Sequence, residues 1–343
     1  KRTLPAAAMA RLVLSGAQTT ENLAEFDTSE LDGLGQALLT TNGEWATGPG
    51  TWTIGVSAFG VPGMGTGAAF RWTHPDIGWK RWRSSVQAAV GLRAIDQSSH
   101  PIWTWGGSLT SPGPVWWHIQ GSGKHGWVDL YCNEQTPVAT VVIDTWKLHT
   151  APGFQWKNHW FWLGPQMRWD AGPDIQLSRH GLAGGWGWQR SLGAQALRVM
   201  WTAEGSKAGF IATEDSLSTQ LDVRRTGGHQ GWATWFLADW APIATDHEWL
   251  LPAIGGGQGM RSAPLGRWRD RQLAAAVLER RMALNHRWSA VVFAESAWAD
   301  GLHAGGGAGL RVHLPPAGQN TTRLDFGAGD GGFAVTVGWG EAF

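Results

Sequence analysis

Phe333-Ala334-Val335-Thr336-Val337-Gly338-Trp339-Gly340-Glu341-Ala342-Phe343 closes the chain. One parity of this stretch holds Phe333, Val335, Val337, Trp339 and Glu341. The other holds Ala334, Thr336, Gly338, Gly340 and Ala342. Side chains alternate between the two faces of a strand. Large apolar groups therefore share one face and small groups the other. Such a strand suits hydrocarbon on its outside and a crowded lumen inside.

Composition extends that reading to the whole chain. The 343 residues include 26 Trp, 49 Gly, 1 Tyr and 1 Cys. Charged residues make up 16%, below the roughly 25% usual in soluble domains. Trp favours the membrane–water interface, where its ring and its N–H both find partners. No run of about 18 apolar residues is present, which excludes a membrane-spanning helix. Few charges, many Trp and many Gly point to an all-β chain, a transmembrane antiparallel β-barrel. The soluble alternative is a β-propeller or sandwich. Lys plus Arg equals Asp plus Glu, 27 each, so no basic excess points to nucleic acid. Cys132 stands alone and excludes an internal disulfide.

Residues 1–42 differ from the rest and read as an N-terminal extension. Short helices at Pro5–Leu14 and Glu21–Leu39, a plug, and a partly ordered leader are the alternatives. No apolar core followed by a cleavage site marks residues 1–20 as a signal peptide. From residue 43 to 343, short alternating segments separated by Gly, Pro, Asn and Asp predict a barrel. The segments 51–59, 67–73 and 83–94 come first. Then follow 100–109, 114–121, 125–132, 136–147, 153–163, 182–190, 194–204, 207–214, 216–226 and 229–240. About eleven to fourteen strands fit before residue 241, so the strand number stays open.

Residues 241–271 resist a strand reading. They hold Pro242, Pro252, Pro264, the run Gly255-Gly256-Gly257-Gln258-Gly259-Met260-Arg261-Ser262-Ala263 and a cluster of Arg261, Arg267, Arg269 and Arg271. Long structureless connections are uncommon and often functional. Five further strands follow, at Gln272–Met282, Arg287–Trp298, Gly307–Leu314, Thr321–Ala328 and Phe333–Phe343.

This arrangement resembles the BamA/TamA-type superfamily of outer-membrane barrels, which insert or translocate other proteins. The resemblance implies sixteen strands and a long loop folded into the lumen before the last five. It also implies a barrel-only member, without the periplasmic POTRA domains. The family's loop tip carries Val/Ile-Arg-Gly-Phe/Tyr, and Met260-Arg261-Ser262-Ala263 occupies that place. The stretches Gly309–Pro316 and Thr322–Gly327 are similar to the family's penultimate strands. By the same resemblance, Arg261 pairs inside the lumen with Glu279 or Glu295, a latch for the loop. Phe333, Trp339 and Phe343 correspond to the seam and C-terminal signal. Two departures stand out: Ser262-Ala263 replaces Gly-Phe/Tyr, and Glu341 replaces the usual aromatic residue.

Parity places Arg311 with His313, and Arg323 with Asp325, in a lumenal polar network. No chemistry emerges beyond this. The histidines lack zinc spacing. His286 and Ser289 stand near each other, but no Gly-x-Ser-x-Gly elbow exists. The glycine run lacks the Lys-Ser/Thr of a phosphate loop. His180, His229 and His303 read as turn residues. The expectation is a non-enzymatic integral outer-membrane protein with no metal and no cofactor. Its partners are the lipid bilayer and other outer-membrane or periplasmic proteins, including lipoproteins. Three roles stay open: protein insertion or translocation, a structural anchor of a larger outer-membrane or secretion complex, and a passive pore.

Overall fold

A computed structural model describes residues 38–41, 53–61 and most of 65–339, apart from short connecting turns. The N-terminal extension before Leu38, His229, His286 and the end Gly340–Phe343 lie outside the described residues. The expectations for Phe343 and for residues 1–37 therefore have no structural counterpart here.

Among the described residues the wall is built from sixteen long strands. The first eleven are β2 (Thr53–Val61), β3 (Gly65–Ile77), β4 (Trp82–Ile95), β5 (Ser98–Thr110), β6 (Val115–Leu130), β7 (Ala139–Trp156), β8 (His159–Ala171), β9 (Gln176–Leu192), β10 (Gln195–Ser206), β11 (Ser216–Thr226) and β12 (Gly231–Ile243). The last five are β15 (Gln272–Ala283), β16 (Trp288–Trp298), β17 (Leu302–Leu314), β18 (Asn320–Gly329) and β19 (Gly332–Trp339). Each pairs antiparallel with its sequence neighbour, β12 pairs β15, and β19 returns to β2. The protein is a transmembrane antiparallel β-barrel. A short strand β1 (Leu38–Thr41) adds to β2, with Leu38 opposite Phe59 and Thr41 opposite Val56. Two more short strands, β13 (Ala253–Ile254) and β14 (Trp268–Arg269), pair within the long connection after β12.

The walls alternate as a barrel requires. On β15, Leu273, Ala275, Val277, Glu279 and Arg281 are buried, while Ala276, Leu278 and Met282 are exposed. On β16, Ser289, Val291, Phe293, Glu295 and Ala297 are buried. On β19, Ala334 and Thr336 are buried and Phe333 is 67% exposed. Exposed Trp residues lie near both ends of the wall, as Trp146 and Trp156 on β7, Trp240 and Trp232 on β12, and Trp298 and Trp288 on β16. Within each strand the two stand eight or ten residues apart. At about 3.3 Å per residue and a tilt near 45°, ten residues give roughly 23 Å. That is the height of an apolar band between two interfacial girdles.

Tryptophan and glycine are coupled on the inner face. Trp116 lies opposite Gly153, Trp160 opposite Gly187, and Trp162 opposite Gly185. A Cβ on any of these glycines would run into the facing indole. At these positions the glycines make room for the rings.

Several strand boundaries differ from expectation. Segments 114–121 and 125–132 form one strand, β6, because Gly121 and Gly123 lie within the sheet and not in a turn. β3 continues through His74 to Ile77, with an irregular register at its end. His180 lies inside β9 opposite Met167, and its Nε2 meets Ser178 Oγ at 2.8 Å. Lys207 and Ala208 belong to no strand.

Candidate lumenal latch site

The connection from β12 to β15 turns into the barrel. A 3-10 turn, Glu248–Leu250, buries Trp249. Next comes the β13–β14 hairpin, whose tip carries the glycines. Gly255, Gly256 and Gly259 have φ of +129°, +71° and +81°, a region costly for residues with a Cβ. Gly256 N–H donates to Ala263 O at 2.8 Å. A Cβ on Gly259 would stand 2.6 Å from Ala275 Cβ. Ile254, Met260, Ala263 and Trp268 pack with Leu273 and Ala275 of β15 and with Ala297 and Ala299. Trp268 also stacks on His303, centroids 4.2 Å apart, so His303 is a docking surface for the hairpin and not a turn residue in water.

At the tip, the Arg261 guanidinium is 4% exposed. Its Nε donates to Glu295 Oε1 at 2.8 Å, and its Nη1 to Glu279 Oε2 at 2.7 Å and Asp325 Oδ2 at 3.4 Å. The guanidinium carbon lies 3.8 Å from the centroid of the Phe293 ring, a cation–π contact. Ser262 completes the grip. Its backbone N–H and its Oγ both donate to Glu295 Oε2, at 3.0 and 3.1 Å.

The wall supplies the other half. Arg281 Nε donates to Glu279 Oε1 at 2.6 Å. Arg311 donates to Asp325 Oδ1 at 2.6 Å and to Glu279 Oε2 at 3.3 Å. Arg323 is buried opposite Arg311 on the neighbouring strand. Expected as two groups, the Arg261 contacts and the Arg311–Asp325 row form one cluster. The His313 and Trp339 side chains lie outside the described residues.

Sequence reading missed Ser262, Phe293 and Arg281 as members of this cluster. Phe293 and Arg281 share parity with Glu295 and Glu279, so strand periodicity could have found them. It also missed the socket. A Cβ on Gly327 would stand 2.7 Å from Ser262 Cα, and one on Gly331 would press on Ala263. Ser262-Ala263 thus fits a floor of glycines on β17, β18 and the turn after β18.

The opposite side of the lumen is less filled. A cavity of about 330 Å³ lies between β5–β12 and the loop, lined in part by Lys147, Arg168, Arg179, Glu204 and Arg224. Lys147 bonds Glu204 at 2.8 Å, and Arg168 and Arg179 both bond Asp170. Among the described residues no three His, Cys, Asp or Glu side chains gather as metal ligands. Ser289 is buried in the wall.

No protein-family model and no curated relative matches the sequence. Solved structures do. Haemophilus ducreyi BamA lacking POTRA domains 1–3 is similar with a TM-score of 0.62 at 12% identity, over 94% of this chain and 77% of that one. CdiB from Acinetobacter baumannii gives 0.58 at 12% identity, over 80% of this chain and 53% of that one. CdiB from Escherichia coli gives 0.55 at 12% identity, over 83% and 62%. The chain therefore has the fold of the BamA and CdiB barrels.

Proposed function

We propose that the protein is an integral bacterial outer-membrane barrel that helps other proteins enter or cross that membrane. Its lumenal hairpin is held by the Arg261 cluster. The single observation that carries this reading is the inward hairpin, latched by one arginine ahead of the last five of sixteen strands, in a fold shared with BamA and CdiB barrels. In this proposal residues 1–42 are an extension and 43–343 the barrel, with the lumenal loop in 241–271, of which 241–243 still belong to β12.

The seam supports the same reading. One edge of β2 pairs with β3. The other edge meets β19 and also takes up β1, a strand from outside the sixteen. A backbone edge in hydrocarbon needs a partner for its N–H and C=O groups. On this reading a client strand takes the β2 edge that β1, a segment of the same chain, occupies over Val56–Phe59. Phe333 stands exposed on the β19 side.

The test is a disulfide between cysteines placed on β2 and β19, in a background with Cys132 replaced. With the seam locked, insertion of client barrels into vesicles stops and returns on reduction. Undiminished insertion with the seam shut would remove lateral opening from the mechanism. If the locked barrel instead keeps a larger complex together without moving any client, it is a scaffold.

A further inference from the structure

The net charge of the chain is zero, yet the acidic residues at the two rims are sorted along the barrel axis. The long connection after β12 defines one end. There, turns carry Asp215, Asp270, Asp300 and Asp330. The opposite end holds the turns after β7, β9, β11, β15 and β17. The segments 154–162, 188–198, 223–232, 280–289 and 311–323 flank those turns and contain no Asp or Glu. Asp76 stands beside another turn at this end, followed by Lys80, Arg81 and Arg83.

Four of the cations at this end are placed in a regular way. Each stands beside an outer-face tryptophan. Lys157, in the β7–β8 turn, lies over the Trp156 ring at 5.2 Å. Arg280 pairs across the strands with Trp232, and its guanidinium sits 5.3 Å from that ring. Arg190 follows Trp188 by two residues on β9, on the same face, and Arg287 precedes Trp288. Trp156, Trp232 and Trp288 are 56%, 46% and 41% exposed, facing outward from the wall. Rings of this kind settle at the headgroup level, and long cationic side chains beside them reach the same depth. The groups meeting them there are lipid phosphates.

We infer that this rim is a binding site for anionic phospholipid headgroups in the leaflet at the turn end, gripped by Trp–cation couples around the wall. Zwitterionic headgroups present the same phosphate with its charge cancelled, so the rim discriminates by net headgroup charge. Each cation near a charged surface contributes enough for about a fivefold preference. The inference uses only the barrel's placement in a bilayer and does not depend on any role in protein insertion.

The experiment is native mass spectrometry of the full chain released from detergent containing equal amounts of phosphatidylglycerol and phosphatidylcholine. The wild type retains phosphatidylglycerol with about a fivefold or greater preference. Lys157→Gln, Arg190→Gln, Arg280→Gln and Arg287→Gln together bring the ratio close to one. Arg271→Gln, at the loop end, leaves it unchanged. Heat-modifiable mobility on gels reports whether the fourfold variant is folded. If it is not, the single variants Lys157→Gln and Arg190→Gln and a salt series on the wild type decide. The preference falls as ionic strength rises from about 0.05 to 0.5 M. Equal retention of both lipids by the wild type, or a preference indifferent to the rim variants and to salt, overturns the inference. Binding of an acidic polypeptide such as polyglutamate without any lipid preference overturns it too, and assigns the rim to a protein partner.

Discussion

Arg261 is the residue on which the loop turns. Its guanidinium reaches three carboxylates from three strands, β15, β16 and β18. Removing one partner of a buried ion pair costs about 3–5 kcal/mol, because the remaining charge stays desolvated. Arg261→Glu is expected to cost at least that, since it places a fourth carboxylate among Glu279, Glu295 and Asp325. The denaturation midpoint in urea and protease cleavage between residues 253 and 269 measure it. A midpoint and cleavage pattern equal to wild type would falsify the latch. Gly327→Val is expected to give the same cleavage by steric eviction of Ser262 while leaving every charge in place. Arg261, Glu279 and Glu295 were legible because the family resemblance placed them. Asp325 lies 64 residues from Arg261, and the pairing of β15 through β18 behind the hairpin brings the two together. The serine at the tip was legible as a departure from a pattern. Its use as a double donor was not, because that depends on how close Glu295 comes.

At the scale of the strand, alternation was the readable signal and glycine the misleading one. The run Gly121-Ser122-Gly123-Lys124-His125-Gly126 looks like a break, yet β6 passes through it. Gly123 sits opposite Trp105, and a Cβ there would run into that indole. Glycine normally weakens a strand, but here it provides the hollow for a ring. Gly187→Ala is expected to displace the Trp160 indole and cost about 1–3 kcal/mol, the range for overpacking. A paired Trp160→Leu change should recover most of that loss. Stability in urea, followed by tryptophan fluorescence, reads both. Four of the last five strands were placed to within one residue at their starts because large and small groups alternate there, while β17 begins five residues early, at Leu302, across a glycine run that carries no such signal. The middle strands were not, because tryptophan occupies both faces and blurs the pattern.

For the whole molecule, the class was legible from composition, and the strand count only from the resemblance, since the alternation alone left it open. The pairing order gives sixteen long strands among the described residues, because β12 skips the hairpin and pairs β15. The two girdles predict depth. Lipids brominated near the headgroup should quench Trp156, Trp232 and Trp288 more strongly than lipids brominated at the chain ends. Equal quenching by both would remove the assigned band. Deleting residues 253–269 should raise single-channel conductance in planar bilayers, since the hairpin fills the lumen beside β15–β18. The placement of that hairpin also carries a history. It is translated after eleven wall strands and before five, and its tip touches β15, β16 and β18. The closing strands can thus be cast around it, as clay around a former, each finding its register against a shape already in position. On that account a chain without the hairpin matures in lower yield, and the fraction that reaches the right register is the one that shows the wider pore.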